Sequence, residues 1–234
     1  MTLLKKSVAA CAVALAGLAA VPAGAAVVGS IPGVPLGTNQ FVNAAFGNAA
    51  SIEGYFGANL YLIGGPASIQ VEYFGAEASY NNSFSMGSCT INSGGITNIN
   101  TGGVAIPDPD CASIGPLSGL LSFMFTSQGF GPVSNGANNN NVSPLLPNFF
   151  VTLASGTALS DIDTTVNNIT AGSGTVAWLF FDDAGAGDDD NHDDMVVRLR
   201  ITGGSVGIPE PGTVALLGAA LLGMGAIRRR RVSK

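Results

Sequence analysis

Between residues 26 and 208 the apolar residues fall in short runs that alternate with period two, a pattern that confines this body to strands. Ser68-Ile69-Gln70-Val71-Glu72-Tyr73 sends polar and apolar side chains to opposite faces, as a half-buried strand requires. Asn59–Ile63 precedes it across Gly64-Gly65-Pro66-Ala67, which reads as the turn of a hairpin. Leu120–Phe125 sets Leu121, Phe123 and Phe125 on one face, and Asn148–Leu153 and Thr175–Phe181 are further strands. In Met195–Ile201, Val197, Leu199 and Ile201 face one way, and Val196, Arg198 and Arg200 the other. Phe41–Phe46 and Ile52–Phe56 add edge strands. The body shows no convincing 3.6-residue period, although Ser160–Ile169 has room for a short helix.

Six to nine such strands, joined by Gly-, Asn-, Ser- and Pro-rich connections, predict one all-β domain, a jelly-roll-like β-sandwich. A solenoid is the alternative, but no fixed repeat period supports it. Gly131–Pro147, with Asn138-Asn139-Asn140-Asn141 at its centre, reads as a long surface loop.

Charge narrows the partners. Of the nine basic residues, Lys5, Lys6, Arg228, Arg229, Arg230, Arg231 and Lys234 sit in the two ends. The body keeps only Arg198 and Arg200 against fourteen carboxylates, a net charge of −12. Such a surface excludes nucleic acid and favours cations or neutral ligands.

The ends read as addresses. Residues 1–25 have the three parts of a secretory signal: basic Lys5-Lys6, an apolar run from Val8 to Val21, and Ala23-Gly24-Ala25 after Pro22. Signal peptidase is expected to cut after Ala25, with Ala26 the neighbouring choice; a buried N-terminal helix is the competing reading. At the other end, Pro209-Glu210-Pro211 leads into an apolar run from Gly212 to Ile227 and then Arg228–Arg231. As a helix these 16 residues reach about 24 Å, a marginal span for a hydrocarbon core of about 30 Å. Four arginines then hold the tail in the cytoplasm and leave the body outside.

Pro209-Glu210-Pro211, the short apolar helix and the arginine cluster together resemble a PEP-CTERM sorting signal over residues 209–234. The resemblance implies recognition and tail removal by an exosortase, a membrane protease-transpeptidase. It also implies a Gram-negative source that makes extracellular polysaccharide, with the chain anchored in the inner membrane only until it is processed. An ordinary single-pass anchor would share the helix and the basic flank; the Pro-Glu-Pro triplet favours the sorting signal.

Cys89 and Cys111 are the cysteines that survive signal removal, and export makes a disulfide between them the default expectation. The rival readings, a reactive thiol or a metal thiolate, lack support: there is no CxxC and the only histidine is His192.

One constellation carries chemistry. Residues 182–194 hold seven carboxylates within 13 residues, a crowding that is repulsive unless cations relieve it. Asp182, Asp183, Asp188, Asp190 and Asp194 are the candidate ligands for a structural Ca²⁺, with Gly185 and Gly187 letting the backbone bend around an ion. The EF-hand template fails, since the sixth position from Asp188 lacks glycine and the twelfth lacks glutamate. His192 reads as a turn residue or a donor to a neighbouring carboxylate, and Arg198 and Arg200 as partners of cross-strand acids. Trp178–Ile201 resembles a hairpin common in secreted bacterial β-proteins: an aromatic strand, an acidic pair (Asp182-Asp183), a Gly/Asp loop, and a turn into Met195-Val196-Val197. That resemblance implies a calcium-supported fold rather than a reaction. A solvated acidic turn without an ion is the other reading.

No Gly-x-Ser-x-Gly elbow or phosphate-cradling loop is present, and a lone histidine among carboxylates is a poor partner for a nucleophile, so an enzyme is not expected. The expected function is an exported structural protein of the cell surface or extracellular matrix, associated with exopolysaccharide. The alternative is a carbohydrate-binding module with a structural calcium, displaying Tyr55, Tyr61, Tyr73 and Tyr80 on one sheet face. The tail reading has a direct check. Intact-mass analysis of the exported protein is expected to show the residues after Pro209-Glu210-Pro211 missing, and a chain still ending at Lys234 would favour a plain anchor.

Overall fold

The run Val176–Asp182 is buried at every residue, so it needs cover on both faces. The computed structural model describes residues 26–31, 39–47, 50–94, 111–142, 145–162, 172–187 and 190–208, apart from the side chains of residues 112 and 113. The expected signal segment with its cleavage at Ala25, the tail with Pro209, Glu210 and Pro211, and Asp188 lie outside them.

In chain order the elements are β1 (Val27–Ile31), α1 (Gln40–Phe46), β2 (Ile52–Phe56), β3 (Tyr61–Gly75), β4 (Asn82–Met86), β5 (Cys89–Asn92) and β6 (Cys111–Leu120). Then follow β7 (Phe123–Ser127), β8 (Gly131–Ser134), β9 (Asn148–Ala154), β10 (Ser173–Gly174), β11 (Val176–Asp182), β12 (Met195–Thr202) and β13 (Ser205–Gly207). The larger sheet runs β1-β2-β9-β11-β12-β3-β13-β10, with β6 on the far edge of β3; the smaller runs β5-β4-β7-β8. All pairings among these strands are antiparallel. The two sheets form the expected all-β sandwich.

Alternation assigns the faces. Ala177, Leu179 and Phe181 of β11, with Phe149 and Val151 of β9 and Val197 and Leu199 of β12, meet Phe84, Phe123 and Phe125 of the smaller sheet. Phe125 stacks on Phe181 with ring centroids 4.8 Å apart. The opposite face of the same strands, with Trp178, Phe180, Phe150 and Val196, packs on Phe41 and Val42 of α1 and on Ile31, Ile52 and Phe74. Two apolar layers therefore sandwich the central strands.

Arg198 crosses the second layer. Its Nε donates to Glu72 Oε2 at 2.6 Å, directly across the β12–β3 ladder, and its guanidinium lies 4.7 Å from the Phe74 ring centroid and 4.9 Å from that of Trp178. Arg200 Nη1 reaches Glu72 Oε1 at 3.4 Å and Gln70 Oε1 at 3.3 Å. Both arginines pair with cross-strand groups, as the sequence predicts. The disulfide also forms: Cys89 and Cys111, with Cα atoms 5.6 Å apart, join β5 of the smaller sheet to β6 of the larger.

Three local readings change. Phe41–Phe46 is helical rather than an edge strand, because Asn39 accepts from Val42 N at 2.8 Å and caps the first turn while Phe41 and Val42 enter the core. Gly64-Gly65-Pro66-Ala67 does not reverse the chain. Gly64 and Gly65, at φ +91° and +108°, sit inside β3 as a bulge, since β6 pairs with β3 on both sides of them and β12 and β13 continue along the other edge. Gly131–Pro147 is not all loop: Gly131–Ser134 is β8, paired to β7. In the stretch given room for a helix, Leu159–Asp161 forms a single 3₁₀ turn, and residues 163–169 lie outside the described set.

Removing the Arg198 guanidinium leaves Glu72, 5% exposed, without its closest cation. Arg198→Met is expected to cost about 3 kcal/mol in urea unfolding, with a large part recovered by adding Glu72→Gln, since replacing both partners is far cheaper than orphaning one.

Candidate functional site

Strand β11 ends at Asp182 and β12 begins at Met195, so the acidic loop lies at one end of the larger sheet, beside Asn148, the ladder partner of Asp182. The described residues at both ends of the loop are packed into the protein: Asp182, His192 and Asp193 have 0% exposure, Asp183 4% and Asp194 9%. Carboxylates this deep need donors.

Neutral groups supply them. Asp182 Oδ1 accepts from the N–H groups of Ala184 (2.9 Å) and Gly185 (2.6 Å). Asp183 Oδ2 accepts from Asn82 Nδ2 at 2.9 Å, and Asp183 N donates to Asp194 Oδ2 at 2.8 Å. The Asp193 carboxylate takes the N–H of Gln40 at the start of α1. Asn39 Nδ2 donates to the carbonyls of Asn191 (2.8 Å) and His192 (3.0 Å), which latches the loop to the helix.

The expected ligands separate into two groups. Asp182 and Asp190 come together with His192: His192 Nδ1 lies 3.2 Å from Asp190 Oδ1 and 3.7 Å from Asp182 Oδ2. Asp183 and Asp194 form a second pair around Asn82. His192 is a turn residue at φ +59°, and its Nε2 lies 2.7 Å from Asn148 Oδ1, an amide rather than a carboxylate. Phe56 and Phe150 pack against the imidazole, with ring centroids 5.2 and 6.2 Å away.

The sequence reading missed the amides. Asn141 Nδ2 donates to both oxygens of Asp190 at 2.9 Å, and Asn148 Nδ2 donates to Asn141 Oδ1 at 3.0 Å. Asn138 bonds the main chain of Phe149 through both its oxygen and its nitrogen, like a neighbouring strand. The asparagine run itself was the available signal. Such side chains mimic backbone partners, and four in succession beside a predicted strand mark a loop with places to bond. Of the tyrosines proposed as a glycan platform, Tyr80 is exposed (41%) and Tyr73 is buried (2%), while Tyr55 and Tyr61 are half-buried.

Burial pushes the Asp182 carboxyl up to about 8 against the pull of the Ala184 and Gly185 N–H groups, with the Asp190 charge adding to the rise. Burial, and then the Asp183 charge, raise Asp194 to about 9. Burial also pushes on Asp190, but His192 and Asn141 beside it hold its carboxyl below the ordinary value.

In comparison with known proteins, the family model of the PEP-CTERM protein-sorting motif matches residues 207–231. The motif implies an exported, cell-surface protein processed by an exosortase. The match begins at Gly207, the last residue of β13. No curated protein and no solved structure matches the chain.

Carboxyls at about 8 and about 9 hold, in the folded chain, protons that the unfolded chain releases near 3.8. The folded state therefore gains stability as pH falls from above these values toward the unfolded one, and loses it as pH rises through them. In EDTA, the melting temperature is expected to be higher near pH 5.5 than near pH 8, and Asp194→Asn is expected to narrow that gap by replacing the carboxyl with a neutral amide.

Proposed function

We propose that the chain is a structural protein of the extracellular polysaccharide matrix, displayed at the cell surface after an exosortase removes its tail, and that it catalyses no reaction. The sorting motif at residues 207–231 carries this reading, because it directs a folded body to the surface and leaves that body as the part that acts there. Two further observations support it. Among the described residues, the cluster that holds the histidine keeps its imidazole at 0% exposure, away from a substrate in solvent. The body's fourteen carboxylates against two arginines make it a polyanion. A polyanion associates with neutral glycans, or with acidic ones through bridging cations, and it resists collapse onto its own kind.

The test pairs cell fractionation with cosedimentation. The wild-type protein is expected in the polysaccharide-bearing surface fraction and is expected to sediment with isolated exopolysaccharide. A chain truncated after Ile208 is expected to be exported yet to partition differently. Wild-type protein recovered wholly in polysaccharide-free medium would overturn the matrix role, while tail cleavage would stand independently.

A further inference from the structure

The amides around His192 fix which of its nitrogens carries a proton. Asp190 offers acceptors, so the Asn141 group facing it, 2.9 Å from both oxygens, is the NH₂. Asn141 Oδ1 then accepts from Asn148 Nδ2 at 3.0 Å, which turns Asn148 Oδ1 toward His192. An amide oxygen only accepts, so His192 Nε2 donates across the 2.7 Å contact. In the neutral imidazole this leaves the lone pair on Nδ1, and Nδ1 faces Asp190 Oδ1 at 3.2 Å and Asp182 Oδ2 at 3.7 Å.

Three electron-rich atoms thus converge. Asp182 Oδ2 and His192 Nδ1 are fully buried and take part in no hydrogen bond. The second oxygen of Asp182 is already used by the Ala184 and Gly185 N–H groups, so Oδ2 is oriented into the cluster. Such a convergence is held together by a proton shared among the three atoms or by a metal ion that takes the proton's place.

We propose that Asp182 Oδ2, Asp190 Oδ1 and His192 Nδ1 bind one divalent transition-metal ion of the zinc class. Donor atoms around a tetrahedral ion with bonds of about 2.0–2.1 Å stand about 3.3–3.4 Å apart, and the two observed separations, 3.2 and 3.7 Å, bracket that spacing. An imidazole nitrogen among carboxylates suits zinc or its neighbours in the first row better than calcium, which takes oxygen donors. Asn148 acts as a positioning residue. By accepting from Nε2–H it holds the tautomer and ring orientation that a metal-bound histidine needs, and Asn141 orients Asn148 in turn. The aromatic rings of Phe56 and Phe150 keep water from the imidazole side. This inference is independent of the matrix role.

The test is metal titration of the full chain after EDTA treatment, with the disulfide intact, read by calorimetry and melting. Zinc is expected to bind with a stoichiometry of one at this site and to raise the melting temperature by about 5–10 °C at a hundredfold excess over its dissociation constant. Cobalt is expected to replace it with visible d–d absorption. Asp190→Asn lies on the more open side of the cluster, 16% exposed, and is expected to fold and to weaken zinc binding by at least about tenfold. Asn148→Ala is expected to weaken it about 10–100-fold while leaving all three ligands in place. Calcium stabilising the protein as much as zinc would overturn the zinc-class assignment and point to an oxygen-donor loop. Zinc binding unchanged in Asp190→Asn would place the metal elsewhere. No metal binding would overturn the proposal and leave a proton shared among Asp182, Asp190 and His192 as what offsets the charge, its place read by ¹⁵N NMR of the imidazole.

Discussion

The body contains two arginines and no lysine, and both arginines are committed to the strand-borne Glu72. The described acids at both ends of the loop between β11 and β12 are nevertheless drawn into the protein, and the donors the chain itself brings to them are largely neutral. The arrangement at that end of the sandwich follows from this shortage of positive charge. Asn39, Asn82, Asn141 and Asn148 converge there, together with the main-chain N–H groups of Gln40, Ala184 and Gly185. Amides are costly to orient but carry no charge to desolvate, and each offers a donor and an acceptor to adjoining partners. The asparagine abundance of the chain is, at these positions, the counterpart of its lack of lysine.

The central strands were legible because burial follows alternation, whereas β1, β4, β5 and β6 were not read from the sequence. Phe123 and Phe125 fall on the core side as period-two spacing requires, although the expected strand Leu120–Phe125 is broken at Leu121-Ser122 between β6 and β7, and Val197, Leu199 and Ile201 separate from Val196 and Arg198 in the same way. The pairing of Arg198 with a cross-strand acid was legible from charge scarcity. Helix α1 was not, because seven residues are too few for a 3.6-residue period to emerge, and its start depends on Asn39 and on a carboxylate 153 residues away. The glycines of β3 misled for a related reason. Gly-Gly-Pro is turn chemistry locally, but strands continuing along both edges turn a reversal into a bulge.

At the candidate site, the sequence placed Asp182 and Asp190 in one loop but could not say which acids would meet. That choice is made by Asn82 in β4, which bonds Asp183, and by Asn141, which bonds Asp190 and is itself held by Asn148 of β9. The sorting motif is the opposite case. It is read linearly by its recognition partner, so residues 207–231 are informative without a tertiary context. Its first residue is still paired in β13, and Ile208 N donates to Gly172 O at 3.0 Å, so the address begins where the ladder ends.

The β4–β5 hairpin shows how the two sheets are held in register. Cys89 sits beside its tight turn and is bonded to Cys111 of β6, while Asn82 stands at its open end and reaches Asp183 and the Asp194 carbonyl beyond β11. Four residue steps separate Asn82 from Met86, the ladder partner of Cys89, so the two ties lie about 13 Å apart along the strand. A third tie lies past β8, where Asn135 exchanges two hydrogen bonds of 2.9 Å with the main chain of Leu60, just before β3. Directional bonds at both ends of the hairpin and past β8 add position to an apolar contact that is itself non-directional. The covalent one lowers the entropy of the unfolded chain by closing a loop with a separation of 22 residues, whereas the polar one acts only once β11, β12 and β4 have met. Export supplies the oxidising conditions for the first, and the polar loop supplies the second from within, so the covalent tie depends on the compartment and the polar one on the fold.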